Sequence, residues 1–162
     1  MHFSTELKSQ EDNTGEKKME SYRYEIKAKK TECFKEAYVK SSVDAYNYAM
    51  EFYHEDINIY ESCFMMMINN EGMVIGWMKI SQGGVADTPV DARLVCKAAL
   101  DTLATQVILV HNHPSGSTRP SGNDRHLTQK IKAALQIFSI NLVDHIIVTE
   151  DKYYSFAEEG LI

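Results

Sequence analysis

A short apolar run, Val107 to Val110, leads directly into the sequence His111-Asn112-His113-Pro114-Ser115-Gly116. An apolar run of this length that is bounded by polar residues is typical of a buried strand. The proline and glycine that follow favour a sharp loop, so the histidines stand where the strand ends. Side chains alternate along a strand, and two histidines one residue apart therefore point to the same side. The sequence predicts a fold in which a central strand ends at a polar site.

The rest of the chain alternates between strand and helix periodicities, which predicts the α/β class. The order of elements favours a single domain with a curved mixed β-sheet flanked by helices. Residues 1–20 lack apolar periodicity and are predicted to be a disordered or loosely attached tail, with the domain over residues 21–162. The predicted elements are a strand at 22–28, a helix from the caps Ser41 and Ser42 to near His54, strands at 57–68 and 73–80, a helix opened by Thr88, Pro89 and Asp91, a strand at 107–110, a helix capped by Ser121, and strands at 141–148 and 153–156.

Apolar residues at helical spacing predict which side of each helix is buried. These residues are Val43, Tyr46, Ala49, Met50 and Tyr53 in the first helix, Val90, Leu94, Val95, Ala98 and Leu103 in the second, and Leu127, Ile131, Ala134, Leu135 and Phe138 in the third. The run Met65-Met66-Met67 is predicted to be part of a buried strand.

Length, charge and cysteine content restrict the class of protein. The chain has 162 residues, an apolar fraction of 44% and a net charge of −6, which is typical of a soluble globular protein. Its apolar runs are far shorter than the roughly 20 residues that cross a bilayer, and its first residues lack a secretory signal. We therefore expect a cytoplasmic protein with no membrane partner. Cys33, Cys63 and Cys96 are widely separated and odd in number, which predicts plain thiols rather than disulfides or a thiolate zinc site.

Asp124 adds a carboxylate to the two histidines. The stretch from His111 to Asp124 reads H-x-H-P-S-G-x-x-x-P-S-x-x-D. Asp124 falls in the first turn of the helix that Ser121 is predicted to cap, where the loop can fold back toward the strand end. Two imidazole nitrogens and a carboxylate oxygen are common ligands of catalytic zinc, which keeps one position open for water. The sequence predicts a zinc site made by His111, His113 and Asp124, with the hydrolytic chemistry of an activated water.

The same stretch resembles the JAMM metal-binding motif of the JAB1/MPN metalloprotease superfamily. In that motif two histidines flank one residue, a proline follows, and a serine stands three residues before an aspartate. The matching residues here are His111, His113, Pro114, Ser121 and Asp124. The runs H-N-H-P-S-G and P-S-x-x-D, with the later L-V-D-H-I-I-V and Y-S-F-A-E-E-G-L, resemble the RadC branch of the superfamily. The resemblance covers residues 22–162.

The resemblance implies a zinc metallopeptidase or isopeptidase that acts on a peptide or protein substrate. The superfamily uses a glutamate on an earlier strand as the general base for the attacking water. The segment E-S-C-F-M-M-M-I-N, which is similar to a RadC segment, makes Glu61 the candidate. Cys63 departs from the aromatic residue that RadC proteins carry at this position, and Phe64 follows it. Weaker candidates, on or just after a predicted helix, are Glu51, Glu55 and Asp56.

Ser121 has two interpretations. By resemblance its hydroxyl donates a hydrogen bond to the carbonyl oxygen or the oxyanion; from its position alone it is a helix N-cap. His145 is expected to bond a backbone group or to support a metal ligand from behind rather than to be a ligand itself. The remaining histidines, at the end of a helix, on a solvated helix face and in the tail, are expected to be structural or solvated: His54, His126 and His2.

Two other classes of function stay open. RadC proteins carry a DNA-repair label, which makes a repair accessory or DNA-processing protein the first alternative. The acidic net charge opposes it, and the helix-hairpin-helix region usual in full-length RadC proteins does not fit before Tyr22. The basic residues after the motif are more typical of a solvated face than of a phosphate-binding one: Arg119, Arg125, Lys130 and Lys132.

The second alternative is a non-catalytic binding module with the MPN fold, although inactive relatives generally lose ligand residues and this chain keeps all three. A zinc deaminase is excluded because its H-x-E and P-C-x-x-C signatures are absent from the sequence. The sequence carries no signal for oligomeric state.

Overall fold

The centre of the fold is a five-stranded mixed sheet in the order β2-β1-β3-β4-β5. It was obtained as a computed structural model, which describes residues 36–53, 55–83 and 89–162. The predicted tail, the strand predicted at 22–28, Cys33, His54 and Thr88 lie outside the described residues. The elements are α1 (Ser42–Ala49), a 3-10 helix (Glu55–Asn58), β1 (Ser62–Ile68), β2 (Val74–Gln82), α2 (Ala92–Asp101), β3 (Gln106–Asn112), α3 (Gly122–Gln136), β4 (Asn141–Val148) and β5 (Tyr153–Ser155).

The strand directions bring two strand ends to one edge of the sheet. Strand β1 pairs antiparallel with β2 and with β3, β4 pairs antiparallel with β5, and β3 and β4 run parallel. Parallel neighbours need a crossover, and α3 provides it. The carboxyl ends of β3 and β4 therefore lie together, next to the start of α3. This confirms the predicted α/β class with a mixed sheet and helices.

The alternation of side chains along the strands divides the core into two layers. On one face, Phe64 and Met66 of β1 pack with the buried residues of α1 and with Phe52. On the other face, Met65 and Met67 pack with apolar residues of α2 and α3. All seven residues of β1 are buried, because both of its faces are covered. The prediction that the methionine run is a buried strand is confirmed.

Several element ends differ from the predictions, and the strand predicted at 57–68 begins only at Ser62, after the 3-10 helix. Ser41 caps α1 as expected, but the helix ends at Ala49 rather than near His54. Asp91 was expected in the first turn of α2 and is instead its N-cap, with a side chain that accepts the Arg93 N–H at 2.9 Å. Three residues predicted on buried helix faces have large exposed fractions: Val43 (47%), Leu94 (48%) and Leu103 (84%).

Helix α3 and the strands around it agree closely with the predictions. Ser121 caps α3, and β4 has the predicted bounds. Phe138 was predicted to lie on the buried face of α3 but follows its end and is 47% exposed. Among the described residues, none of the helices has the length and apolar character needed to cross a membrane.

Candidate metal centre

The central strand β3 delivers the two histidines to the carboxyl edge of the sheet. His111 is the sixth residue of β3 and is 3% exposed, while His113 lies just past the strand end. The His113 N–H donates to the Val148 carbonyl at 3.2 Å, which extends the pairing with β4 beyond β3. Both imidazoles are therefore held by backbone pairing rather than carried on a free loop.

Asp124 reaches the histidines from the first turn of α3 because it is part of a capping box. Ser121 Oγ accepts the Asp124 N–H at 3.1 Å, and Asp124 Oδ2 accepts the Ser121 N–H at 2.6 Å. The same carboxylate faces both imidazoles, with 3.1 Å from Oδ1 to His111 Nε2 and 3.6 Å from Oδ2 to His113 Nε2. The cap therefore sets the direction of the carboxylate.

The spacing of the three groups suits a metal ion of the size of zinc. The two Nε2 atoms of His111 and His113 are 2.9 Å apart, and the ligand atoms of the three residues all lie within 4.8 Å of one another. Two ligand atoms in tetrahedral geometry around zinc lie about 3.3 Å apart, given bond lengths of roughly 2.0–2.1 Å. The spacings of 2.9, 3.1 and 3.6 Å bracket that value. The structure brings the residues predicted as metal ligands together, and their spacing fits a metal ion of this size.

The Asp124 carboxylate and the neighbouring His113 imidazole shift each other's pKa values. Burial alone would raise the pKa of Asp124, but the neighbouring imidazoles of His111 and His113 outweigh burial and hold that pKa far below its ordinary value. The hydrogen bond to Asp124 raises the pKa of His113 above that of a free imidazole, although burial opposes it. The carboxyl group is thus an anion throughout the neutral range and can serve as a ligand.

His113 is oriented by a backbone carbonyl. Its Nδ1 lies 2.7 Å from the Ser117 carbonyl oxygen, in the loop between β3 and α3. A carbonyl oxygen can only accept, so Nδ1 carries a hydrogen, and Nε2 is the nitrogen that a metal ion beside Asp124 and His111 could bind. Such a partner fixes the ring and its tautomer for metal binding.

Glu61 lines a cavity next to the candidate metal ligands. A cavity of about 230 Å³ opens beside the histidines. Its lining combines carboxylates, apolar side chains and polar or basic groups, namely Glu61, Asp124, Cys63, Pro89, Val90, Leu127, His111, Asn123, His126 and Lys130. Glu61 is half-buried, and its charge contributes to the raised pKa of His113. The structure thus brings Glu61 to the site, while Ser121 lies at the α3 cap, outside this lining.

Cys63 is buried and lines the cavity, but its thiol is unreactive. Burial raises the pKa of its thiol to about 12, and the charges of Glu61 and Asp124 act in the same direction. It therefore stays protonated at neutral pH, and the prediction of a plain thiol is confirmed for Cys63, which is buried, and Cys96, which is half-buried. The pairing of β1 with β2 shifts register between Cys63 and Phe64, the point at which the sequence departs from the RadC pattern.

Three residues of the site were not assigned from the sequence. Asn112 is fully buried, and its side chain accepts from the Ser62 N–H at 2.8 Å and donates to the Tyr60 carbonyl at 2.8 Å. Thr128 lies behind the histidines in α3, and Asn123 lines the cavity. The partners of Asn112 and Thr128 are far away along the chain, so spacing rules could not find them; for Asn123, its place beside Asp124 was the available signal.

His145 lies on β4 behind His111, with its Nε2 at 2.8 Å from His111 Nδ1. This agrees with the predicted supporting role and not with direct ligation. Burial holds the pKa of His145 well below that of a free imidazole, so the ring is neutral. Among the basic residues after the motif, Arg119, Arg125 and Lys130 are exposed and Lys132 is half-buried, as expected for a largely solvated face.

Known proteins match the chain over the part that carries this site. Residues 39–161 match the RadC-like JAB domain. A UPF0758 protein of Flavobacterium johnsoniae is 47% identical over 102 residues, which are 63% of this chain and 44% of that protein. The UPF0758 protein YfjY of Escherichia coli is 42% identical over 102 residues, 63% of this chain and 64% of its own length. A UPF0758 protein of Thermotoga maritima is 37% identical over 120 residues, 74% of this chain and 53% of its own length.

The matched region spans about half the length of most of these relatives. The family match covers residues 39–161 and includes every strand of the sheet and all three groups at the candidate metal centre. The resemblance inferred from the motif is therefore confirmed over residues 39–161, and the chain belongs to the family of RadC-like JAB domains.

Proposed function

We propose that this protein is a zinc-dependent hydrolase of the metallopeptidase or isopeptidase type. His111, His113 and Asp124 would hold the zinc ion. The observation that carries the proposal is the close spacing of their ligand atoms, at 2.9, 3.1 and 3.6 Å, beside a cavity that Glu61 also lines. A set of two imidazoles and one carboxylate leaves one position open, as hydrolytic zinc sites do.

The chain supplies the base that such a hydrolysis needs. A bound zinc ion would acidify a water molecule and polarise the carbonyl of an amide. Glu61 would accept a proton from the attacking water while the water oxygen adds to the carbonyl carbon. The C–N bond then breaks, and the proton held by Glu61 passes to the leaving nitrogen. One water is consumed, and an acid and an amine are released.

Ser121 would donate a hydrogen bond to the oxyanion. In the capping box Ser121 Oγ accepts the Asp124 N–H, and that bond does not use the hydrogen of the hydroxyl. Capping and donation are therefore compatible in one side chain. Removing a donor of this kind typically costs about 3–4 kcal/mol of transition-state stabilisation.

The walls of the cavity favour a peptide substrate. Pro89, Val90 and Leu127 offer an apolar surface next to the metal centre, and Lys130 adds a positive charge. A peptide segment that carries an apolar side chain beside an acidic one would complement this surface. No membrane partner enters the proposal.

A nucleic acid is the second candidate substrate. Lys130 lines the cavity and Arg125 is exposed on the same helix, so a phosphate could approach the centre. The net charge of −6 opposes tight binding to a phosphate backbone. A gel shift at low salt with random duplex and single-stranded DNA separates the candidates, because the absence of a shift at micromolar protein removes this one.

The direct test of the proposal is hydrolysis of a panel of peptide and isopeptide amides by zinc-loaded protein, with Glu61→Gln as the matched control. Glutamine keeps the size of the side chain and removes the base. We expect cleavage of panel members by the wild type, and a rate lower by roughly 10²-fold or more for the variant. Equal rates would contradict the role of Glu61. Stoichiometric zinc without cleavage of any panel member would favour a non-catalytic binding module.

A further inference from the structure

A chain of hydrogen bonds runs behind His111 through side chains that the proposed reaction does not use. His111 Nδ1 lies 2.8 Å from His145 Nε2, and His145 Nδ1 lies 2.7 Å from Thr128 Oγ1. Thr128 Oγ1 in turn donates to the Asp124 carbonyl oxygen at 2.6 Å. Thr128 and His145 are 0% exposed. This series of hydrogen bonds thus begins on one proposed metal ligand, His111, and ends on the backbone carbonyl of another, Asp124.

The last bond sets the direction of every hydrogen in this chain. The Asp124 carbonyl can only accept, so the single hydrogen of the Thr128 hydroxyl is committed to it. Thr128 Oγ1 must then accept from His145 Nδ1. A neutral imidazole carries one hydrogen, so Nε2 of His145 accepts, and His111 Nδ1 is the donor. In the neutral His111 ring, Nε2 then has the lone pair, and this is the atom that faces His113 and Asp124.

The rings in the chain are held in place by further contacts. The His145 ring stacks on Phe156, with centroids 4.8 Å apart and planes 18° apart. The backbone N–H of His145 donates to Asp144 Oδ1 at 2.7 Å. A rotation of the imidazole that would exchange its two nitrogens has no room in this packing, since the ring is fully buried.

We propose that Thr128 and His145 are positioning residues that fix the tautomer of His111 so that its Nε2 is ready to bind the metal. The inference rests on the proposed metal centre. The Ser117 carbonyl fixes the tautomer of His113 directly, whereas the tautomer of His111 is fixed through the side chains of His145 and Thr128. The two histidines then present equivalent atoms to one ion, although only one of them contacts a backbone carbonyl.

Thr128→Val tests the inference, because valine keeps the shape of threonine and removes the hydroxyl. His145 Nδ1 then loses its partner, and nothing favours the tautomer that accepts from His111. We expect the zinc affinity, measured by competition with a chromophoric chelator, to fall roughly 10- to 100-fold. We also expect the visible absorption bands of the cobalt-substituted protein to shift. Thr128→Ser, which restores the hydroxyl, should return both readouts to the wild-type values.

Thr102→Val is the matched control. Thr102 Oγ1 donates to the carbonyl four residues earlier, Ala98, at 2.8 Å, as Thr128 does to Asp124, but it lies at the far end of α2. This variant loses the same kind of bond, and it should keep the zinc affinity and the cobalt spectrum of the wild type. An equal loss of affinity in both variants would mean that the effect is general destabilisation, and would overturn the inference.

A second measurement needs no variant and no metal. The ¹⁵N chemical shifts of the imidazole nitrogens in the metal-free wild type report which nitrogen carries the hydrogen. We expect hydrogen on Nδ1 of both His111 and His145; hydrogen on Nε2 of His145 would overturn the inference. Failure of the wild type to bind zinc would contradict the proposed function instead. Unchanged affinity in Thr128→Val, with zinc bound to the wild type, would contradict the positioning role alone.

Discussion

Asn112 separates the two histidines in the sequence, and its side-chain amide holds the backbone on both sides of Glu61. Its Nδ2 donates to the Tyr60 carbonyl and its Oδ1 accepts from the Ser62 N–H, both at 2.8 Å. The residue between two proposed metal ligands therefore also positions the backbone just before β1, where the proposed base lies. The residues at the end of β3 thus determine the positions of both the proposed metal-binding histidines and the proposed base.

Replacing Asn112 should disturb the base more than the metal. Asn112→Ala leaves the Tyr60 carbonyl and the Ser62 N–H without this partner, which should lower the free energy of unfolding by about 2–4 kcal/mol. We expect zinc to stay bound and amide hydrolysis to fall. Asn69→Ala is the control, because Asn69 Oδ1 also accepts two backbone N–H groups, those of Glu71 and Met73, but in the β1–β2 turn. Equal hydrolysis by Asn112→Ala and the wild type would contradict this relationship.

Asp144 should be a main contributor to stability. Its Oδ2 accepts from the hydroxyls of Ser155 at 2.6 Å and Ser42 at 3.0 Å, and its Oδ1 accepts from the N–H groups of His145 at 2.7 Å and Ala157 at 3.0 Å. Asp144→Ala leaves four donors without this acceptor, and we expect a loss of about 3 kcal/mol or more in urea unfolding of the metal-free protein. Ser42→Ala removes one bond and should cost about 1 kcal/mol. Similar losses in the two variants would contradict this assignment.

The N-cap of α2 should give a pH-dependent contribution to stability. Hydrogen bonds from the Arg93 side chain and backbone lower the pKa of Asp91 to about 2, below the value of about 3.9 in an unfolded chain. The folded pKa is the lower one, so this contribution is present above pH of about 4 and is lost as the pH falls through about 2. Asp91→Asn keeps a good N-cap and removes the charge.

We therefore expect the wild type to exceed Asp91→Asn in unfolding midpoint at neutral pH, with a difference that shrinks as the pH is lowered from about 4 to about 2. Thermal unfolding of both proteins across this range measures it. A difference that stays constant over the range would show that the carboxylate is not responsible.

Cys63 should be dispensable for chemistry despite its position in the cavity. Its pKa of about 12 means that the reactive thiolate is scarce at neutral pH. Cys63→Ala should keep stoichiometric zinc and the hydrolysis rate, and should cost about 1 kcal/mol of stability through lost packing. Loss of zinc in this variant, with the fold intact by circular dichroism, would make Cys63 a ligand and contradict the assignment.

The sequence predicted the elements whose signals are local. Helix α3 begins at Ser121 as predicted, because the cap and Asp124 form a box within one turn. The bounds of β4 were predicted correctly, although Asp144 and His145 interrupt its apolar residues. Leu103 was predicted on a buried face and is 84% exposed, since α2 ends at Asp101 and the helical period no longer applies. The φ of Leu103 is +55°, which takes the chain out of the helix.

The candidate metal centre was predictable in part. His111, His113 and Asp124 lie within one stretch of sequence, and their spacing places them on a strand end and a helix start that meet. The supporting residues were harder to predict. Asn112 bonds to Ser62, 50 residues away, and His145 bonds to His111, 34 residues away. Such partners depend on strand order, which periodicity does not specify.

Metal content of the purified protein, determined by elemental analysis for the wild type, Glu61→Gln and His113→Ala, tests the central claim most directly. We predict stoichiometric zinc in the wild type and in Glu61→Gln, because Glu61 is the proposed base and is not among the proposed ligands. We predict none in His113→Ala, which keeps only two of the three ligands. A wild type that holds no metal after zinc is offered and the excess removed would contradict the account, as would stoichiometric zinc in His113→Ala.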